Sequence, residues 1–452
     1  MSNKLSDIVN FNPSRILKKG TVAPFIEMAS LPTNTKFIKQ IDEKPFSGGS
    51  KFKNGDTLFA RITPCLENGK TGKVTNLKDE IIGHGSTEFI VMSAKEPEFD
   101  EDYIYYFARL PEFREFAQQR MVGTSGRQRV AWQDLADFEF IFPPKEQRKK
   151  AAALLNIYDQ KIDLNTQINQ TLEQIAQALF KSWFVDFDPV RAKVQALSDG
   201  LSLEQAELAA MQAISGKTPE ELTALSQAQP DRYAELAETA KAFPCEMVEV
   251  DGVEVPKGWK QTTLSEICEM QNGYAFKSSD WMEQGIPVIK IGSVKAMIVE
   301  VEGNGFVSED YSKLKPDFLL KSGDILVGLT GYVGEVGRIP TGKIAMLNQR
   351  VAKFLPKEID KNHCFYNYIY CLARQSQFKE FAEMNAKGSA QANISTKELL
   401  KFPIIKANDE LHIFFENRVK ELLESILWNS QNSETLAKTR DLLLSRLLNG
   451  SI

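Results

Sequence analysis

The chain repeats itself, and in order. Asn54–Ala60 reads NGDTLFA and Ser322–Gly328 reads SGDILVG. Tyr103–Ala117, YIYYFARLPEFREFA, faces Tyr368–Ala382, YIYCLARQSQFKEFA. Gly123–Phe138, GTSGRQRVAWQDLADF, faces Gly388–Phe402, GSAQANISTKELLKF, with one residue fewer. A long polar-apolar segment after Glu146 then faces one after Glu410. The blocks keep their order and nearly their spacing, which chance similarity does not do, so the chain carries an internal duplication. A length of 452 residues allows two to four domains. Whatever fold the first half takes, the second half must take as well.

Each half reads as a mixed α/β unit followed by a long helix. Short β-type runs lie at Thr57–Ile62, Glu88–Met92 and Phe138–Phe142, and at Ile286–Ile291, Asp324–Leu329 and Val351–Leu355. Gly55-Asp56 and Gly323-Asp324 sit where a turn should precede a strand, each Asp capping a neighbouring backbone N–H. Apolar residues recur at helical spacing across Tyr103–Arg120 and Tyr368–Lys387. Pro143-Pro144 block helix entry from upstream, and strong helix formers follow from Lys145. There Ala151, Leu155, Tyr158, Ile162, Leu172, Ala176, Leu179 and Trp183 step by three and four, with Asn165 and Asn169 in the same seam. Phe415, Val419, Leu422, Ile426, Asn429, Ser433, Leu436, Arg440, Leu443 and Leu447 form a matching stripe. These are coiled-coil-like patterns, and Asn165 and Asn429, equivalent in the repeat, are the candidate register-setting residues. About 39 helical residues span ~58 Å, which favours pairing of the two helices over packing on one small domain.

Between the halves lies an Ala/Gln/Glu-rich stretch, expected to form short surface helices. Ser202 with Gln205 and Thr218 with Glu221 read as capping boxes. The expected layout is 1–145 first unit, 146–190 central helix, 191–249 helical connector, 250–408 second unit and 409–452 C-terminal helix.

The net charge of −5 does not exclude nucleic acid, because local patches do the binding and much of the acidic surplus lies in the connector. Five cysteines, none in a C-x-x-C pair, argue against a disulfide framework or a structural zinc site. No signal pattern opens the chain and no apolar run approaches ~20 residues, so a cytoplasmic, reduced, soluble protein without a membrane partner is expected. No catalytic constellation survives inspection. There is no P-loop, GYVGEVG is not a dinucleotide fingerprint, and the three histidines are scattered. We expect no catalytic residue, no metal and no directly bound cofactor.

Some residues suit nucleic-acid contact. Arg120, Thr124, Ser125, Arg127, Gln128 and Arg129 surround a Gly-rich turn, with Arg61 and Lys73 adding charge. In the second half the candidates are Tyr274, Phe276, Lys277, Lys290, Tyr332, Arg338, Gln349, Arg350, Lys387, Ser389, Gln391 and Asn393. Glycines and short polar residues let a backbone approach phosphates, while Arg, Gln and Asn can reach base edges in pairs of hydrogen bonds. The scaffold recurs and the polar tips differ, as expected of two modules with one architecture and different ligands.

The ordered, duplicated pieces FKNGDTLFARITP, LKSGDILVGLTG, VPKGWKQTTLSEI, QNGYAFKSSDW, GIPVIKIGSV, GSAQANIS, LNTQINQTLEQIAQALFKSWF and LLLSRLLNG resemble the DNA-specificity subunit of type I restriction-modification enzymes. The resemblance covers essentially the whole chain. It implies an α+β protein with two similar α/β target-recognition domains, separated by two long helices in an antiparallel coiled coil with a pseudo-twofold axis. Each domain would read one part of a split double-stranded DNA target. It also implies partners: two modification subunits, which bind S-adenosylmethionine and methylate adenine, and restriction subunits, which use ATP and Mg. Two other classes remain open from the residues alone. One is a stand-alone adenine methyltransferase or nuclease with an unrecognised site, and the other a two-headed protein-binding adaptor.

Overall fold

The computed structural model describes residues 3–78, 80–303, 305–388 and 391–451. The chain falls into two compact units, Met1–Thr166 with Asn432–Ile452, and Gln167–Gln431.

In the first unit, a four-stranded antiparallel sheet has the order Val9–Phe11, Phe89–Ala94, Thr57–Ala60, Thr71–Lys73. A second sheet runs Asp42–Pro45, Val22–Ile26, Gly83–Gly85, Ser50–Phe52, its central pair parallel. Side chains alternate across a strand, and here both faces are buried. Leu58 and Ala60 turn to the core that holds Phe52 and Val91, while Phe59 joins the one that holds Tyr103, Phe107 and Phe113.

The second unit has the same plan. Cys268–Asn272, Val351–Pro356, Ile325–Gly328 and Val336–Arg338 follow one another in the same order, with Met297–Ile298 added at the edge. Ile286–Ile289 pairs in parallel with Ala345–Leu347, as Val22–Ile26 does with Gly83–Gly85. The turn carboxylates are also duplicated. Lys53 N–H donates to Asp56 Oδ2 at 2.8 Å and Lys321 N–H to Asp324 Oδ2 at 2.8 Å. Asp56 further anchors Arg15 at 2.6 Å.

Each expected single helix is a pair. Tyr103–Arg120 divides into Pro97–Phe107 and Pro111–Gln119, because Pro111 forces Leu110 into extended backbone. Tyr368–Lys387 divides into Tyr366–Ala373 and Ser376–Asn385 around an extended Gln375. The first long helix runs Lys145–Phe184. It stops short of residue 190, since Phe187 adopts left-handed backbone (φ 58°) and Pro189 opens the helix Asp188–Ser198. The second long helix runs Asp409–Leu448. The connector helices Leu203–Ser215, Pro219–Ala228 and Pro230–Ala242 carry both reciprocal capping boxes. They are more than surface decoration, because Met211, Ile214, Leu222 and Ala240 enter the core of the second unit.

The long helices pair antiparallel within each unit. In the first, Asn165 Nδ2 donates to Asn432 Oδ1 and Ser433 Oγ, both at 3.1 Å, and Asp159 meets Arg440 closer to the other end. In the second, Asn429 Nδ2 donates to Asn169 Oδ1 at 2.9 Å and Phe415 packs on Phe180 and Trp183. Asn165 and Asn429 do not meet each other. The offset that carries Asn165 to Asn429 carries Asn169 to Ser433, so one contact is made twice. Leu423, not Leu422, is the buried member of the second stripe.

Arg440 and Asp159 are almost fully buried, and Tyr106 Oη donates to the same carboxylate at 2.6 Å. Removing one partner strands a buried charge. We expect Arg440→Met to cost about 3–5 kcal/mol in equilibrium urea unfolding, and Asp159→Leu added to Arg440→Met to recover most of it. A single variant as stable as the parent would show that the pair carries no such burden.

Candidate nucleic-acid interface

The Gly-rich segment of the first unit closes into a hairpin. Val122 and Arg129 exchange N–H···O bonds of 2.9 and 3.0 Å, and Arg127 N–H donates to Thr124 O at 2.9 Å. The hairpin docks on the chain leaving the Thr57–Ala60 strand. Thr63 N–H donates to Gln128 O at 3.0 Å, Gln128 N–H to Thr63 Oγ1 at 3.1 Å and Val130 N–H to Arg61 O at 3.0 Å. Gly123 has φ 137°, and a Cβ there would lie 2.9 Å from Arg127 O. Only glycine allows that approach.

The second unit builds the same device. Lys387 and Asn393 exchange bonds of 2.8 and 2.9 Å. Asn393 bridges Thr330, which leaves the Ile325–Gly328 strand, and its Oδ1 accepts from Thr330 Oγ1 at 2.5 Å. Gly388 has φ 111°, and a Cβ would lie 2.7 Å from Gln391 O. The two halves therefore bring corresponding segments, far apart in sequence, to the same place on each sheet.

On the first hairpin Thr124, Ser125 and Arg127 are exposed and Gln128 is half-buried. Arg129 spends its guanidinium on Glu88, at 2.7 and 2.9 Å, and that carboxylate raises its already high pKa. Arg61 is half-buried beneath the hairpin, its Nε without a partner among the described residues. Arg120 is exposed but lies over the Phe116 ring, 3.4 Å from its centroid, beside Asp134 and Asp137. On the second unit Lys387, Gln391 and Asn393 are exposed, as are Lys277, Tyr332, Gln349 and Arg350. Arg350 Nη1 reaches Gln391 Oε1 at 3.5 Å, and its φ of 69° marks a strained turn. Lys290 Nζ sits 4.0 Å from the Trp281 ring centroid. Tyr274 is half-buried beside it in the Phe276, Tyr311 and Phe318 cluster. Ser389 lies outside the described residues.

Three candidates are corrected. Lys73 is buried, paired with Glu101 at 2.7 Å and with Asp102. Arg338 is buried, its Nη2 donating to Leu423 O at 3.0 Å and its guanidinium over Tyr370. They are the same position in the repeat, the last residue of Thr71–Lys73 and of Val336–Arg338, where a long cation bridges the sheet to the helical layer. Phe276 is buried in its aromatic cluster and offers no stacking face. Sequence reasoning missed Glu88 and Trp281. Glu88 lies 41 residues from its Arg partner, and no local pattern links them.

The family model for the type I restriction modification DNA specificity domain matches residues 2–174 and 256–406, one copy in each half. The chain belongs to that family. As a type I specificity chain it is 41% identical over 434 residues to the HindI specificity subunit of Haemophilus influenzae, covering 93% of this chain and 92% of that one. It is 25% identical to the EcoAI specificity subunit of Escherichia coli, over 84% of this chain and 69% of the relative. A crystal structure of the S subunit from M. genitalium aligns with 99% of this specificity chain and 96% of its own length, at 15% identity and a TM-score of 0.49.

The Gly123 constraint is testable. Gly123→Ala should speed amide exchange at Val122 and Arg129 and cost about 1 kcal/mol of local stability. Unchanged protection at both amides, read by hydrogen exchange, would remove the glycine requirement.

Proposed function

We propose that this type I specificity subunit reads a bipartite double-stranded DNA target, one part with each hairpin-bearing unit, and that it is non-catalytic. The observation that carries the reading is the duplicated hairpin: one backbone device, twice, with unlike exposed side chains. Thr124, Ser125 and Arg127 stand on one copy, and Lys387, Gln391 and Asn393 on the other. Lys387 can hold a phosphate, while Arg127 can pair with a guanine edge and Gln391 with an adenine edge. Two unlike heads give an asymmetric target. The paired long helices then act as a ruler, with the two parts about one DNA turn, ~34–36 Å, apart.

The reading includes partners. Leu154, Ile157 and Leu164 in the first unit are exposed on the first long helix, as are Ile168 and Ile175 in the second. Such apolar positions on a helix already paired on its other side suit further helices. We assign them to two modification subunits, which would bring S-adenosylmethionine, with restriction subunits supplying the ATP- and Mg-dependent steps. Among the described residues no cluster of His, Cys, Asp and Glu could hold a metal ion, and no helix is long and apolar enough to cross a membrane.

Mapping methylated adenines in cells that carry this chain and its modification subunit tests the reading. Arg127→Ala should relax base preference in one part of the target only, by about 1–3 kcal/mol per lost contact, and Gln391→Ala in the other only. A single change that relaxed both parts would contradict separate heads. Inserting four residues after Gln167 should alter the gap between the parts and leave their bases unchanged. Methylation of DNA by the purified chain alone would overturn the non-catalytic assignment.

A further inference from the structure

The two hairpins stand on frames whose main-chain bonds match one for one. In the central sheets Ala60 pairs with Phe89 and Gly328 with Val351. Just beyond, Arg61 N–H donates to Glu88 O at 3.0 Å, and Leu329 N–H to Arg350 O at 2.9 Å. The hairpin then joins from the other side, Val130 N–H on Arg61 O at 3.0 Å and Ile394 N–H on Leu329 O at 2.9 Å. Glu88 and Arg350 are therefore one position in two copies, beside the base of each hairpin, and its charge is reversed.

The reversal changes what each hairpin offers. Glu88 forks onto Arg129, at 2.9 Å from Nε and 2.7 Å from Nη2, and neutralises one of the two arginines on the hairpin. Asn393, the counterpart of Arg129, is uncharged and bonds Thr330. Arg350 is exposed, and among the described residues its guanidinium reaches only a neutral amide, Gln391 Oε1, at 3.5 Å. The backbone singles out the same residue. Arg350 has φ 69°, in the left-handed region, whereas Glu88 does not adopt positive φ. A glycine would sit there without strain, and side chains held in such strain cluster at ligand sites.

We propose that this single position sets how many cations each head turns to the DNA. In the second head Arg350 neutralises a phosphate next to the base that Gln391 reads. In the first, Glu88 withholds Arg129 from the DNA and leaves recognition to Arg127 and its neighbours. The second head thereby supplies the larger share of the salt-dependent affinity. The proposal rests on the reading that the hairpins face DNA.

Fluorescence anisotropy over a series of salt concentrations tests this with the complex of the full-length chain and its modification subunit. The probes are the target duplex found by methylation mapping and an unrelated duplex. Arg350→Gly suits the left-handed backbone, so its urea midpoint should equal or exceed that of the parent. It should weaken both duplexes about tenfold near ~0.1 M salt and flatten the slope of log affinity on log salt by about 0.9. Glu88→Gln should tighten both duplexes severalfold and steepen the slope, a gain that misfolding does not produce. Arg127→Ala, which removes a base contact, should weaken the target more than the unrelated duplex. If Arg127→Ala behaves so while Arg350→Gly or Glu88→Gln keeps the parent's affinity and slope, the proposal is overturned and the reading of the hairpins stands. Parent-like binding by all three variants would overturn both.

Discussion

Between the two long helices, buried amides must find one another. Asn165, Asn169 and Asn429 are each at most 8% exposed, in a seam whose other members are largely apolar. A register slip would leave their donors and acceptors unmade in a low-dielectric setting, so the polar contacts select one alignment at some cost in stability. The charged groups sharpen that choice. Asp159 is met by Arg440 and Tyr106, and Glu173 by Tyr370 and by Arg374 at 3.1 Å. Every one of these contacts joins a long helix to its partner or to the helical layer of its own unit. The sheets and the hairpins above them inherit their placement from that layer.

The hairpins show how backbone constraints can hold a frame whose exposed tips vary. In each unit a glycine at positive φ lets one carbonyl approach closely, and the strand that leaves the central sheet pins the hairpin by main-chain bonds. These bonds do not depend on the identity of the exposed side chains. The tips can therefore differ between the copies without disturbing the frame, which is what a pair of heads with different targets requires. Arg129 illustrates the boundary between frame and tip: its forked pairing with Glu88 holds the hairpin base, leaving Arg127 as the outward cation.

The duplication was legible in the sequence because the framework blocks kept order and spacing. Three strand runs in each half followed from apolar runs and turn chemistry, and the long helices from their stripes and the Pro143-Pro144 stop, but the sheet of Asp42–Pro45, Val22–Ile26, Gly83–Gly85 and Ser50–Phe52 was not among the expected strands. The division of Tyr103–Arg120 was also written there, in Pro111, although apolar periodicity runs through it unbroken. Exposure was not legible. Lys73 and Arg338 carry the composition of phosphate contacts, yet each ends a strand whose side chains point into the unit. A cation's role depends on which face of a sheet it occupies and on carboxylates or rings brought from distant segments.

By itself the sequence determined a two-copy α/β chain with paired helical segments, because repeats, periodicity and caps act over short spans. Tertiary structure alone decided which polar residues are spent internally. Arg129 on Glu88, Lys73 on Asp102 and Asn169 on Asn429 are pairings between segments distant in sequence, and they exist only once the folded chain has brought both partners together.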